Sequence, residues 1–121
     1  MPDNIDNPQI VSYKGQIIDI RQTDEFAQWL TKLWDRQGRA RIIDRLKRLA
    51  NGNFGDTKPV GDGVQELRMS FGPGYRIYYM WQGEVLILLL TGGDKDRQAR
   101  DIAKAKRMAK EAEDGIEDAP I

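Results

Sequence analysis

The stretch Val64–Lys95, VQELRMSFGPGYRIYYMWQGEVLILLLTGGDK, decides how this chain folds. It holds three strand-like runs, 64–70, 75–82 and 84–91, separated by Phe71-Gly72-Pro73-Gly74 and by Gln82-Gly83 at hairpin spacing. Side chains along a strand alternate between faces. Leu67 and Met69 therefore share a side in the first run, as do Tyr75, Ile77, Tyr79 and Trp81 in the second. If those apolar sides coincide in one sheet, Glu66, Arg68, Arg76 and Tyr78 are displayed together on the other. The polar face is where function is sought.

A chain of 121 residues is one domain, long enough to bury a core without disulfides or metal. It has no cysteine, as suits a reducing cytosol, and no histidine, the commonest general base and metal ligand. No segment has the form of a signal peptide and no apolar run approaches about 18 residues, so a cytoplasmic location away from membranes is expected. The formal net charge is zero but segregated. Residues 15–110 hold 18 Lys and Arg against 12 Asp and Glu, whereas the ends hold one Lys against seven acids. A basic body with acidic ends suits a polyanion-binding surface, although solvated helix faces look similar.

Upstream, residues 1–14 read as a loose lead-in and 16–21 (QIIDIR) as a strand. Thr23 caps a helix over about 23–36, with Phe26, Leu30, Leu33 and Trp34 on one stripe. Gly38 is expected to interrupt it. A second helix over about 39–51 buries Ile42, Ile43, Leu46 and Leu49, and its other faces carry Arg41, Arg45 and Arg48. These arginines suit phosphate, an acidic partner segment or simply solvent. The stretch 51–63 (NGNFGDTKPVGDG) reads as a loop. Beyond the sheet, 94–111 is helical in composition, with Ile102, Ala105 and Ala109 on a thin apolar stripe and Arg97 and Arg100 on another face. Residues 112–121 are expected to form an acidic flexible tail, leaving one domain expected over 15–111.

There is no Cys/His metal constellation, P-loop or Gly-x-Ser-x-Gly elbow, so no metal and no cofactor are expected. What remains is a set of Arg, Lys, Tyr, Glu, Asp and Gln side chains. Such a set suits metal-free chemistry on a phosphodiester, where cations offset charge building on phosphate oxygens. In RNA the neighbouring 2′-hydroxyl can serve as nucleophile.

Four pieces carry a family likeness: Gly55-Asp56-x-Lys58-Pro59-Val60-Gly61, Val64-x-Glu66-Leu67-Arg68, Gly72-Pro73-Gly74-Tyr75-Arg76-Ile77-Tyr78-Tyr79 and Leu88-Leu89-Leu90-x-Gly92-Gly93-Asp94-Lys95. They continue through Gln98, Asp101, Ile102 and Ala105. In this order and spacing the chain resembles the HigB-like killer-protein branch of the RelE/ParE toxin superfamily over residues 15–110. The resemblance implies an α+β fold, with two N-terminal helices packed on a curved, four-stranded, mainly antiparallel sheet and a C-terminal helix. It also implies the toxin of a type II toxin–antitoxin system, with a helix-turn-helix antitoxin as cognate partner. Many such toxins cleave mRNA on the ribosome without a metal, while the ParE side poisons DNA gyrase.

Arg68 and Arg76 match the strand arginines such nucleases place around the scissile phosphate, and Lys95 falls where they place other catalytic groups. The chain lacks the C-terminal His or Tyr of the best-known nucleases, which leaves Tyr75, Tyr78, Glu66 and Lys95 as proton-transfer candidates. Tyr75 and Tyr79 suit the core by alternation, and Asp94 suits a helix cap. The candidate catalytic set is thus Arg68, Arg76, Lys95, Tyr78 and Glu66. The candidate RNA-binding set is Arg41, Arg45, Arg48, Arg97, Gln98 and Arg100. Glu66 and Arg68 would equally suit a plain ion pair.

Overall fold

The computed structural model describes residues 18–114 and 119–120. In chain order these form β1 (Asp19–Gln22), α1 (Asp24–Lys32), α2 (Arg36–Ala50), β2 (Thr57–Gly61), β3 (Val64–Arg68), β4 (Tyr75–Trp81), β5 (Leu86–Asp94), α3 (Gln98–Glu113) and the short β6 (Ala119–Pro120). A one-turn 3-10 helix, Lys95–Arg97, leads into α3. All strands share one sheet, ordered β2-β3-β4-β5-β1-β6.

This corrects the expected four-stranded, mainly antiparallel sheet under two N-terminal helices. The first strand precedes both helices and lies parallel to β5, with Asp19 opposite Leu86 and Gln22 opposite Leu89. The sheet is therefore mixed, and β6 adds an antiparallel partner to β1 within the stretch expected as a tail. A further strand, β2, was hidden inside the expected loop 51–63. Its turn into β3 is Asp62-Gly63, with φ of 56° and 79°. Two positive φ values in a two-residue connection are the signature of a hairpin whose twist matches its strands. The β4–β5 connection is longer than the Gln82-Gly83 spacing implied, running from Gln82 to Val85 and closed by Gln82 N–H donating to the Leu86 carbonyl at 2.8 Å.

Both faces of the sheet are covered. Phe26, Ile42, Leu46 and Leu49 from α1 and α2 pack on Leu67, Met69, Ile77, Tyr79, Ile87 and Leu89. On the other face Ala105 and Ala109 of α3 pack on Val64, Tyr78, Met80, Leu88 and Leu90. The register of β3 and β4 is as alternation requires, with Leu67 and Met69 beneath α1 and α2. In β5 Ile87 and Leu89 face α1 and α2, while Leu88 and Leu90 face α3. The open polar face inferred for Glu66, Arg76 and Tyr78 is also corrected, because α3 covers it.

Helix ends differ for local reasons. Thr23 caps α1, its Oγ1 accepting from Phe26 N–H at 3.0 Å and donating to the Leu90 carbonyl at 2.7 Å. The break between α1 and α2 falls at Leu33–Asp35 rather than at Gly38. Asp35 is the α2 cap, accepting from Gly38 N–H at 3.0 Å, and Gly38 is needed because a Cβ there would meet Tyr75 at 2.8 Å. Trp34, expected on the buried stripe, is left 91% exposed.

A β-bulge shapes the far end of β5. Tyr78 pairs with Thr91 and Tyr79 with Leu89, so Leu90 is an extra residue. The shift turns Gly92 towards α1, against the Trp29 indole, and Gly93 towards α3, against the Asp101 carboxylate. Glu25 of α1 reaches past this end of the strand to pair with Lys104 of α3, and Thr91 Oγ1 donates to the same carboxylate at 3.4 Å. The two helical layers are thereby joined directly.

Candidate functional site: a basic cleft beside a buried polar cluster

Cross-strand register brings the polar residues into two rows. Glu66 lies opposite Tyr78, which lies opposite Thr91. Arg68 lies opposite Arg76, which lies opposite Gly93. The N-terminal turns of α3 close over these rows. Tyr78 Oη donates to Glu66 Oε2 at 3.1 Å and Gln98 Nε2 donates to the same oxygen at 2.7 Å. The other Glu66 oxygen has Arg68 Nε at 3.7 Å, an ion pair without hydrogen-bond geometry. Burial is the first cause, and neighbouring Glu66 the second, of a Tyr78 pKa raised well above its ordinary value. Its phenol therefore keeps its proton and acts as a donor.

Arg76 is only 6% exposed. Its Nη1 donates to the carbonyls of Gly74 at 3.1 Å and Tyr75 at 3.2 Å, with Met69 at 3.4 Å. The guanidinium thus pins the turn joining β3 to β4. Lys95 stands on the solvent side of that turn: its Cβ and Arg76 Nη1 lie 3.2 and 3.4 Å from the position a Gly74 Cβ would take. The structure therefore gathers Glu66, Arg68, Arg76, Tyr78, Lys95 and Gln98 at one end of the sheet. It leaves Glu66, Arg76 and Tyr78 inside, Lys95 outside, and Arg68 between, its side chain 35% exposed.

On the α2 side of the same turn lies a cleft of about 500 Å³. Arg41, Arg45, Arg48 and Arg68 line it against two acids, Asp44 and Asp56. The helix supplies three of these arginines because positions 41, 45 and 48 recur on one face. Arg45 holds the walls together, donating to the Arg68 carbonyl at 2.9 Å and the Phe54 carbonyl at 3.2 Å. Burial, then the nearby Arg48 charge, lowers its pKa. The Arg41 guanidinium sits 4.9 Å over the Phe71 ring. Arg97, at the end of the 3-10 turn, and Arg100, on α3, are exposed and do not line this cleft.

Sequence reasoning missed Asp101 as more than a matched position. It is 7% exposed, its Oδ2 has no hydrogen-bond partner, and burial raises its pKa. The signal was available, since Asp101 precedes Ala105 and Ala109 at i, i+4 and i+8 on the buried stripe of α3. Among the described residues no group of three acidic, His or Cys side chains could hold a metal ion, and no helix is long and apolar enough to cross a membrane.

The fold and cleft define a small layered α+β domain with an arginine-lined cleft. The family model described as Phage derived protein Gp49-like (DUF891) matches residues 28–112, and the chain belongs to that family, one of toxin-like, addiction-module type. It is also 50% identical over 94 residues to an "Uncharacterized protein" of Haemophilus influenzae (strain ATCC 51907 / DSM 11121 / KW20 / Rd), covering 78% of this chain and 95% of that one.

Proposed function

We propose that this protein is the toxin of a type II toxin–antitoxin pair and acts as a metal-independent endoribonuclease on ribosome-bound mRNA, as the RelE/HigB resemblance implies. The observation that carries the reading is the cleft in which Arg41, Arg45 and Arg48 of α2 stand against two acids, Asp44 and Asp56, with Arg68 among its lining residues, next to the β3–β4 turn against which Lys95 packs. Clustered guanidinium groups suit phosphate because each presents planar, bidentate donors. In this reading the ribose 2′-hydroxyl passes its proton to solvent water as its oxygen attacks the adjacent phosphorus, and the P–O5′ bond breaks, leaving a 2′,3′-cyclic phosphate. Arg68 offsets charge on the pentavalent phosphate, and Lys95 gives its proton to the departing 5′-oxygen. Arg41, Arg45 and Arg48 track the flanking backbone. Glu66 and Tyr78 act as positioning residues, holding Arg68 and Gln98 from below, while Arg76 fixes the turn on which Lys95 rests. A helix-turn-helix antitoxin is the cognate partner.

A second reading is favoured by one fact: Glu66 and Tyr78 are fully buried, which removes two acid–base candidates from the surface. On that reading the protein is a gyrase-binding inhibitor without chemistry. The test is cleavage of an mRNA during in vitro translation, run beside a gyrase supercoiling assay. Cleavage with a 5′-hydroxyl end, reduced about 10²–10³-fold by Arg68→Ala, is expected. Intact mRNA with inhibited supercoiling would replace the first reading by the second.

A further inference from the structure

The three-residue link between α1 and α2 displays a tryptophan to solvent while its own backbone is held fast. Leu33 N–H donates to the Leu30 carbonyl at 3.3 Å, and the Leu33 carbonyl accepts from Arg39 Nη1 at 2.6 Å. Asp35, on the other flank, accepts from Gly38 N–H and from Tyr75 Oη at 2.6 Å. Between them Trp34 is 91% exposed, leaving on the order of 200 Å² of ring facing water. Its two neighbours are committed to the fold, so Trp34 stands on a rigid pedestal with a guanidinium bonded to the preceding carbonyl.

This pedestal adjoins the arginine cleft. Asp35 binds Tyr75, whose ring packs on Phe71 at 5.9 Å, and Phe71 lines the cleft beneath Arg41. Along α2, from its cap at Asp35 to Arg48, the rise of 1.5 Å per residue gives a track of roughly 20 Å. That track begins with an exposed indole and continues with cations.

We infer that Trp34 is a base-stacking platform for single-stranded RNA, placed where a strand enters or leaves the Arg41–Arg45–Arg48 cleft. The inference rests on the RNA-binding reading proposed above and adds a contact to a base, where the arginines contact phosphates. Stacking suits an unpaired strand because every base offers a ring face, whereas phosphates alone do not distinguish single from paired strands.

The test uses the full chain and an unstructured, fluorescently labelled RNA 12-mer, titrated over a range of salt. Trp34→Ala is expected to weaken binding about 10–100-fold without changing the slope of log affinity against log salt, because no phosphate contact is lost. Trp34→Phe should retain most of the affinity. Arg48→Ala should instead weaken binding and lower that slope by about one. Unchanged unfolding midpoints are expected, since Trp34 lies outside the core. If Arg48→Ala weakens binding and Trp34→Ala does not, the stacking inference fails while RNA binding stands. If the unmodified protein does not bind the 12-mer, the stacking inference fails, and the cleavage assay on translated mRNA separately decides the RNA-cleaving reading. If Trp34→Ala binds RNA normally but is no longer neutralised by the antitoxin, Trp34 belongs to a protein interface and the inference is overturned.

Discussion

Gly92→Ala is the substitution whose outcome the packing specifies most tightly. A Cβ at Gly92 would lie 2.5 Å from Cε3 and Cζ3 of Trp29 and 2.8 Å from Cδ2. Carbon atoms pack best at about 3.5–4.0 Å, so three atoms of one rigid ring would be overlapped by about 1 Å each. The indole has little room to yield, being lodged between Phe26 at 5.7 Å and Tyr75 at 6.2 Å, centroid to centroid. Tyr75 is in turn tied through its hydroxyl to Asp35. Overpacking of this kind costs about 1–3 kcal/mol, partly offset by about 0.4–1 kcal/mol from the stiffer unfolded chain. A net loss of about 1–2 kcal/mol should lower the urea midpoint by roughly 0.5–1 M for a slope of about 2 kcal/mol/M.

The control is the same change made in a Trp29→Leu background, which removes the ring. There Gly92→Ala should be neutral or mildly stabilising, giving a coupling of about 1–3 kcal/mol between the two sites. An equal penalty in both backgrounds would show that the glycine is needed for some reason other than the indole.

Asp101→Asn tests the buried carboxylate whose Oδ2 has no hydrogen-bond partner. Burial raises its folded-state pKa above the ordinary 3.8, so its contribution to stability is fully present below that value and is lost as pH rises through the raised one. The variant should therefore be more stable than the parent at pH 7, with the advantage disappearing near pH 4 in paired urea titrations. Glu66→Ala leaves Tyr78 Oη and Gln98 Nε2 without their acceptor and should cost about 1–3 kcal/mol in the same assay.

The core of the sheet was legible because alternation in β3 and β4 is strict, and the burial of Leu67, Met69, Ile77 and Tyr79 follows from it. β2 was not, because Lys58 and Pro59 give an edge strand little apolar signal; the Asp62-Gly63 hairpin turn was its readable trace. The parity of β5 was obscured by its own composition, an unbroken apolar run that hides which residues face α3 and which face α1 and α2. The cover provided by α3 was underestimated because its stripe is mostly alanine. Small side chains bury little area each, yet they let a helix lie close to a sheet, and that closeness is what encloses Glu66, Tyr78 and Arg76. Trp34 was misplaced for the opposite reason: its spacing fits the α1 stripe, but the helix ends at Lys32 and the periodicity no longer applies.

The enclosure also sorts the cations by role. Arg76 spends its Nη1 on turn carbonyls in a dry place, so its charge is committed to the fold. Arg68 sits one strand away, with Nε leaning on Glu66 at 3.7 Å and about a third of the side chain in solvent. Fully buried, Glu66 is itself held by Tyr78 and Gln98. On the RNA-cleaving reading this tether does catalytic service: it restricts the rotamers of Arg68 before any phosphate arrives, so less side-chain entropy is lost on binding. Glu66→Gln keeps an acceptor for Tyr78 and Gln98 while removing the charge that faces Arg68. It should leave the fold nearly intact and lower cleavage, whereas Glu66→Ala should disturb both. Equal cleavage by the parent and Glu66→Gln would mean that Arg68 needs no such tether.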